Sequence, residues 1–176
     1  MNGLKSDKVD QVEAHLRRSE GLIFMKPSKK QIDDLIALYS QGLLEKALFQ
    51  GNILENQFPN DLNLLNILGA VYNGLGRNEE AVSSFKQAIK HRPRHAILYN
   101  NLGNSLTELG GYEEAICAYN KAIQLKPDYA EAYYNKGNIL FAPFDHKGSI
   151  NAFEKAQKFN ANRDGSYIVC EDAVVS

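Results

Sequence analysis

The chain has 176 residues, 44% of them apolar, and its 20 Lys+Arg against 21 Asp+Glu leave a net charge of −1. That balance excludes a generally basic nucleic-acid binder and an acidic disordered chain. No run approaches the ~18 apolar residues of a membrane span and the N-terminus has no apolar signal core, so a cytoplasmic protein with neither membrane nor nucleic-acid partners is expected.

In chain order, Val9, Val12, Leu16 and Ile23 follow Asp7 at roughly helical spacing, which predicts a capping helix over 7–24 within an N-terminal segment 1–27. From Ser28 onward the chain repeats itself. Pro59, Pro93 and Pro127 are 34 residues apart, as are Gly42, Gly76 and Gly110, and Gly69, Gly103 and Gly137. Ala47, Ala81, Ala115 and Ser149 form another such series, and Phe85, Tyr119 and Phe153 another. Taking Ser28 as position 1 gives units 28–61, 62–95, 96–129 and 130–163, each reading as two amphipathic helices.

The first unit diverges, with Leu35 where the others have Gly and Gly51 where they have a large aromatic, which predicts looser packing. In the second, Leu65, Leu68, Gly69 and Tyr72 share one face of a first helix. Gly76 follows where a positive φ ends a helix cheaply. Glu79 and Glu80 suit the N-terminal dipole of a second helix. Ala81, Val82, Phe85, Ala88 and Ile89 line the second helix's inner face, and Pro93 lies past its end. The third unit repeats this scheme. In the fourth, Lys136, Phe144, Ser149 and Ala161 depart from the Leu, Gly, Ala and Pro series, and Pro143 predicts an early end to the first helix with an unusual turn over 141–148. Residues 164–176 read as a short C-terminal cap, on Tyr167, Cys170 and Val174, or as an extended tail.

The units resemble the tetratricopeptide repeat, whose pattern is W-x2-L-G-x2-Y…A-x3-F…P. It appears here as Leu65-x2-Leu68-Gly69-x2-Tyr72, Ala81-x3-Phe85 and Pro93, and again as Tyr99-x2-Leu102-Gly103-x2-Leu106, Ala115-x3-Tyr119 and Pro127. Tyr or Leu replaces the Trp, which accounts for a chain without tryptophan. The resemblance implies an all-α, right-handed superhelical solenoid with first helices lining a concave groove.

At the family's usual groove positions stand Asn66 and Asn73 in the second unit and Asn100, Asn101 and Asn104 in the third. The fourth contributes Tyr134, Asn135, Asn138 and Phe141. With Asn63, eight of the 17 asparagines of the chain fall on these faces, although Asn is not a favoured helix former. A carboxamide has one acceptor oxygen and two donor hydrogens, matching the C=O and N–H of an extended peptide. The row is similar to the asparagine ladder in the repeat region of O-linked N-acetylglucosamine transferase, with Ile67 interrupting it in the second unit. Tyr134 and Phe141 add aromatic anchors. The Lys/Arg carboxylate clamp of chaperone-binding repeats is not expected, because Ile32, Glu131 and Asn135 stand at its positions.

The expected function is a non-catalytic adaptor binding a partner protein or extended peptide. Alternatives are a substrate-docking segment of a larger, glycosyltransferase-like enzyme, or self-association through the repeat ends or the C-terminal tail. No catalytic residue, cofactor or metal site is expected. His91 and His95 have i, i+4 spacing but Pro93 separates them, and the basic cluster 91–95 reads as a solvated turn. Cys117 reads as a buried or half-buried thiol.

Overall fold

Each unit folds as a helical hairpin in a computed structural model that describes residues 26–141 and 145–164. The expected capping helix, the Pro143–Phe144 turn and the C-terminal cap or tail lie outside the described residues. Eight α-helices are described. They are α1 (Lys29–Ser40), α2 (Leu44–Gln57), α3 (Leu62–Gly74), α4 (Asn78–His91), α5 (Ala96–Glu108), α6 (Tyr112–Leu125), α7 (Ala130–Phe141) and α8 (His146–Asp164).

Local chemistry sets the helix ends. Ser28 and Gln31 form a reciprocal capping box at α1, with Gln31 N–H donating to Ser28 Oγ at 3.2 Å and Ser28 N–H to Gln31 Oε1 at 2.8 Å. Asp61 caps α3 by accepting from Leu64 N–H at 3.0 Å. The first three hairpins turn at Gly42, Gly76 and Gly110, whose φ values are 72°, 71° and 77°. There the N–H groups of Leu43, Arg77 and Gly111 return to the carbonyls of Leu38, Tyr72 and Leu106 at 2.9–3.0 Å, closing the last turn of each first helix.

Close approach within a hairpin depends on size complementarity. A Cβ at Gly69 would stand 2.6 Å from the Phe85 ring, one at Gly103 2.5 Å from Tyr119, and one at Gly137 2.7 Å from Phe153. In the first hairpin the sizes are exchanged. Leu35 is fully buried, while a side chain at Gly51 would overlap Leu68. The α1 and α2 backbones are accordingly less closely apposed than those of the other hairpins, as the sequence predicts, but the exchange leaves Leu35 well packed.

The fourth hairpin accommodates its departures. Ser149 is buried at the position of the small alanines and donates its hydroxyl to Gly137 O at 3.1 Å. With Ala161 where the other units carry proline, nothing removes a backbone donor, and α8 runs on to Asp164.

First helices of successive hairpins touch one another directly, whereas second helices pack on the first helix of the next hairpin. The stack therefore bends toward the first helices and makes their shared face concave. Its core is continuous across hairpins, with Leu65, Phe85, Leu98, Leu102 and Tyr119 in one cluster and Leu35, Leu54, Leu64 and Leu68 in its neighbour.

Candidate binding groove

Where α3, α5 and α7 lie side by side, residues 31 and 35 apart become neighbours, and the asparagines meet. Asn101 Nδ2 donates to Asn66 Oδ1 at 3.0 Å. One hairpin on, Asn135 Nδ2 donates to Asn104 Oδ1 at 3.0 Å and to Asn100 Oδ1 at 3.3 Å. The row is thus first a lock between hairpins. Ile67 does not interrupt it at random: its 35-residue counterpart is Ile32, and both pack against the same apolar cluster. That junction has an Ile pair in the register where the next two have Asn pairs.

Glu131, Tyr119 and Thr107 complete the network. Asn100 Nδ2 donates to Glu131 Oε1 at 2.9 Å. The Tyr119 hydroxyl donates to Asn104 Oδ1 at 2.8 Å and lies 3.2 Å from Thr107 Oγ1, which itself donates to Gly103 O at 2.8 Å. Tyr119 is only 1% exposed; burial raises its hydroxyl pKa above the ordinary tyrosine value, so the donor proton is retained. The sequence carries a signal for it: Tyr replaces the Phe of units 2 and 4 in the one unit that has Asn104 and Thr107 together.

The expected groove residues divide. Asn66, Asn101, Asn104 and Asn135 are part-exposed and keep unused hydrogen-bonding groups at the groove. Asn138 is exposed. Tyr134 is 54% exposed and packs its ring 5.6 Å from Phe153. Phe141 is 61% exposed, 5.7 Å edge-on from His146. Asn100, expected at the groove, is corrected: it is 0% exposed and lies behind the row, because position 5 of α5 turns toward α7. Asn73 is also turned inward, its Oδ1 buried with no hydrogen-bond partner.

Other candidates fall elsewhere. His91 Nε2 donates a 3.0 Å bond to Asn60 Oδ1, which also receives Gln87 Nε2 at 2.9 Å, so it ties α4 to the preceding inter-hairpin turn. Among the described residues no group of His, Cys, Asp and Glu could hold a metal, and no helix is long and apolar enough to cross a membrane. Cys117 is exposed rather than buried, since Ala115, Ala118 and Tyr119 occupy the inner face of α6. It lines a cleft of about 420 Å³ with Tyr99, Leu106 and Lys121. A cleft of about 490 Å³ recurs one repeat later with Tyr133, Leu140 and Lys155. Both lie away from the asparagine row.

A family model described as TPR repeat matches residues 69–110 and 103–142, and one described as tetratricopeptide repeat matches 130–163. Together they span more than half of the chain. The protein belongs to the tetratricopeptide-repeat family. No curated protein matches the sequence. Among solved structures, MamA superimposes with a TM-score of 0.71 at 20% identity, over 77% of this chain and 80% of that one. MamA from Desulfovibrio magneticus RS-1 gives 0.70 at 22% identity over 76% of each. The TPR2B domain of yeast Sti1, solved as a complex with pHsp70, gives 0.58 at 26% identity over 60% of this chain and 85% of that domain. The architecture is the right-handed superhelical solenoid of tetratricopeptide hairpins.

Proposed function

We propose that this tetratricopeptide-repeat protein is a non-catalytic interaction module that binds an extended segment of a partner protein along its concave face. The observations that support this reading are part-exposed carboxamides with unused hydrogen-bonding groups on successive first helices and two exposed aromatic rings on α7, Tyr134 and Phe141. Exposed aromatics flanking polar groups are the composition of binding hot spots. Backbone hydrogen bonds to Asn66, Asn101, Asn104 and Asn135 would each contribute about 0.5–1.5 kcal/mol. Ring burial would supply most of the remaining affinity.

The binding mode of the Sti1 domain with pHsp70 is not carried over. Glu131 and Asn135 stand where a carboxylate clamp needs Lys and Arg, and a carboxylate at Glu131 repels another.

A peptide selected from a displayed random 12-residue library on the full chain tests the proposal. Tyr134→Ser/Phe141→Ser should weaken its binding by at least about tenfold, the equivalent of 1.4 kcal/mol, with circular dichroism unchanged because both rings are mostly exposed. Equal binding to the double variant would remove the groove as the binding site.

A further inference from the structure

The carboxamides at the junction of the third and fourth hairpins are not interchangeable donors and acceptors. A carboxylate only accepts hydrogen bonds, so Glu131 takes the Nδ2 side of Asn100. Asn100 must then turn its Oδ1 to Asn135, and an oxygen there requires Asn135 to present Nδ2. The second hydrogen of that same Nδ2 reaches Asn104 Oδ1. Asn104 Oδ1 also receives the Tyr119 hydroxyl proton, which uses its second lone pair. Two groups are left over at the groove: the oxygen of Asn135, on an amide with no spare donor, and the nitrogen of Asn104, on an amide with no spare acceptor.

We infer that Glu131 and Tyr119 are positioning residues that divide this junction into an acceptor site at Asn135 and a donor site at Asn104. Such a pair matches a ligand edge that offers one donor beside one acceptor, the N–H and C=O of an extended peptide. It discriminates against a free carboxylate, which offers acceptors alone and meets the Asn135 oxygen unfavourably. The ligand class rests on the peptide-groove reading above; the division of the amides does not.

Side-chain carboxamide NMR on the full chain therefore tests the division without a ligand. Both Nδ2 protons of Asn135 are expected to be protected from solvent exchange, and those of Asn104 to exchange freely. Glu131→Gln keeps the shape but lets Asn100 reverse, so protection at Asn135 should fall at least about fivefold while backbone helicity is retained, the loss of roughly one net hydrogen bond. A merely structural Glu131 would leave that selective pattern in place. Protected Asn104 protons with free Asn135 protons, or an unchanged pattern in Glu131→Gln, would overturn the inference.

A ligand arm uses the library-selected peptide, made with single backbone N-methyl groups. One position should cost about tenfold in affinity for the wild type and clearly less for Glu131→Gln, and equal sensitivity in both proteins would overturn the assignment. If no peptide engages the groove, the peptide reading fails, and the exchange pattern alone decides the division of the amides.

Discussion

Two junctions of one solenoid solve the same packing problem in opposite ways. Between the first and second hairpins the residues 35 apart are Ile32 and Ile67, part-buried against an apolar cluster. Between the third and fourth they are Asn100 and Asn135, hydrogen-bonded to each other and to Glu131 and Asn104. The backbone register is common to both, so the choice is one of side-chain chemistry. An Ile pair contributes only burial. An Asn pair contributes a junction that still has hydrogen-bonding groups to offer at the groove, at the cost of requiring every buried polar atom to find a partner. In a repeat protein, where stability is approximately a sum of hairpin terms and nearest-neighbour terms, the two junctions can be separated experimentally.

The largest effect is expected inside the hairpins rather than between them. Phe85 and Tyr119 are 0% and 1% exposed at equivalent positions, and truncation of either to Ala should cost about 3–5 kcal/mol. Tyr119→Ala should be the costlier, since it also leaves Asn104 and Thr107 without the hydroxyl. Urea unfolding followed by circular dichroism measures both. A cheaper Tyr119→Ala would mean that its hydroxyl network has no part in holding the polar junction.

Next comes the buried amide. Asn100→Leu fits an apolar side chain at a site of 0% exposure but leaves Glu131 and one Asn135 hydrogen without their partner, for an expected loss of about 1–3 kcal/mol. Amide hydrogen exchange should show the loss concentrated in α7 and α8, the elements beyond the broken junction. Uniform loss across all eight described helices would argue against a junction-specific role.

The contrast between junctions also marks how far the sequence could be read. The 34-residue period locates helices, turns and small-to-large pairs, because those depend on contacts within a hairpin, where spacing along the chain translates directly into a helix face. It places Asn66, Asn101, Asn104 and Asn135 on one face for the same reason. Pairing between hairpins depends on how one first helix is rotated against the next, and no single repeat encodes that. Hence Asn100 is legible as polar and on the first helix but not as buried, Glu131 is not legible as a partner of Asn100, and Tyr119 is marked only by standing where the second and fourth units have Phe. Ile67 looks like an interruption until Ile32 is set beside it. The fourth hairpin's proline and glycine departures are visible in sequence, whereas the rescue of Ser149 by Gly137 O depends on two helices in contact.

A conversion experiment asks whether the polar junction is required for folding at all. Asn66→Ile or Asn101→Ile alone should each cost about 1–2 kcal/mol, by leaving one carboxamide of a 3.0 Å pair unmatched. The double replacement reproduces the Ile32–Ile67 arrangement and should recover most of that loss, because removing both partners also removes the unsatisfied group. The double-mutant cycle reads the coupling directly. Strictly additive losses would show that the asparagines stabilise independently and that the two junctions are not alternatives of one design.

The smallest expected effect bears most directly on the groove. Tyr119→Phe removes only the hydroxyl and leaves the ring that packs under Gly103, so the cost should be about 0.5–1.5 kcal/mol, the net worth of its hydrogen bonds. The second hairpin already has this arrangement, with Phe85 on the aromatic position and Ala70 where the third hairpin has Asn104. Tyr119→Phe/Asn104→Ala therefore copies a natural solution. If the hydroxyl acts mainly through Asn104, the double variant should be less destabilised than the sum of the two single variants by a measurable coupling, since residues sharing a hydrogen bond are not additive. Ligand capture should separate from stability in the same set. Asn104→Ala removes the donor from the groove with or without the tyrosine hydroxyl, so both Asn104 variants should lose peptide affinity equally, while Tyr119→Phe alone loses part of it because Asn104 Oδ1 regains a free lone pair and its amide can turn. A Tyr119→Phe protein that loses stability but binds peptide as the wild type does would confine the hydroxyl to packing the hairpin, and would leave the orientation of the row to Glu131 alone.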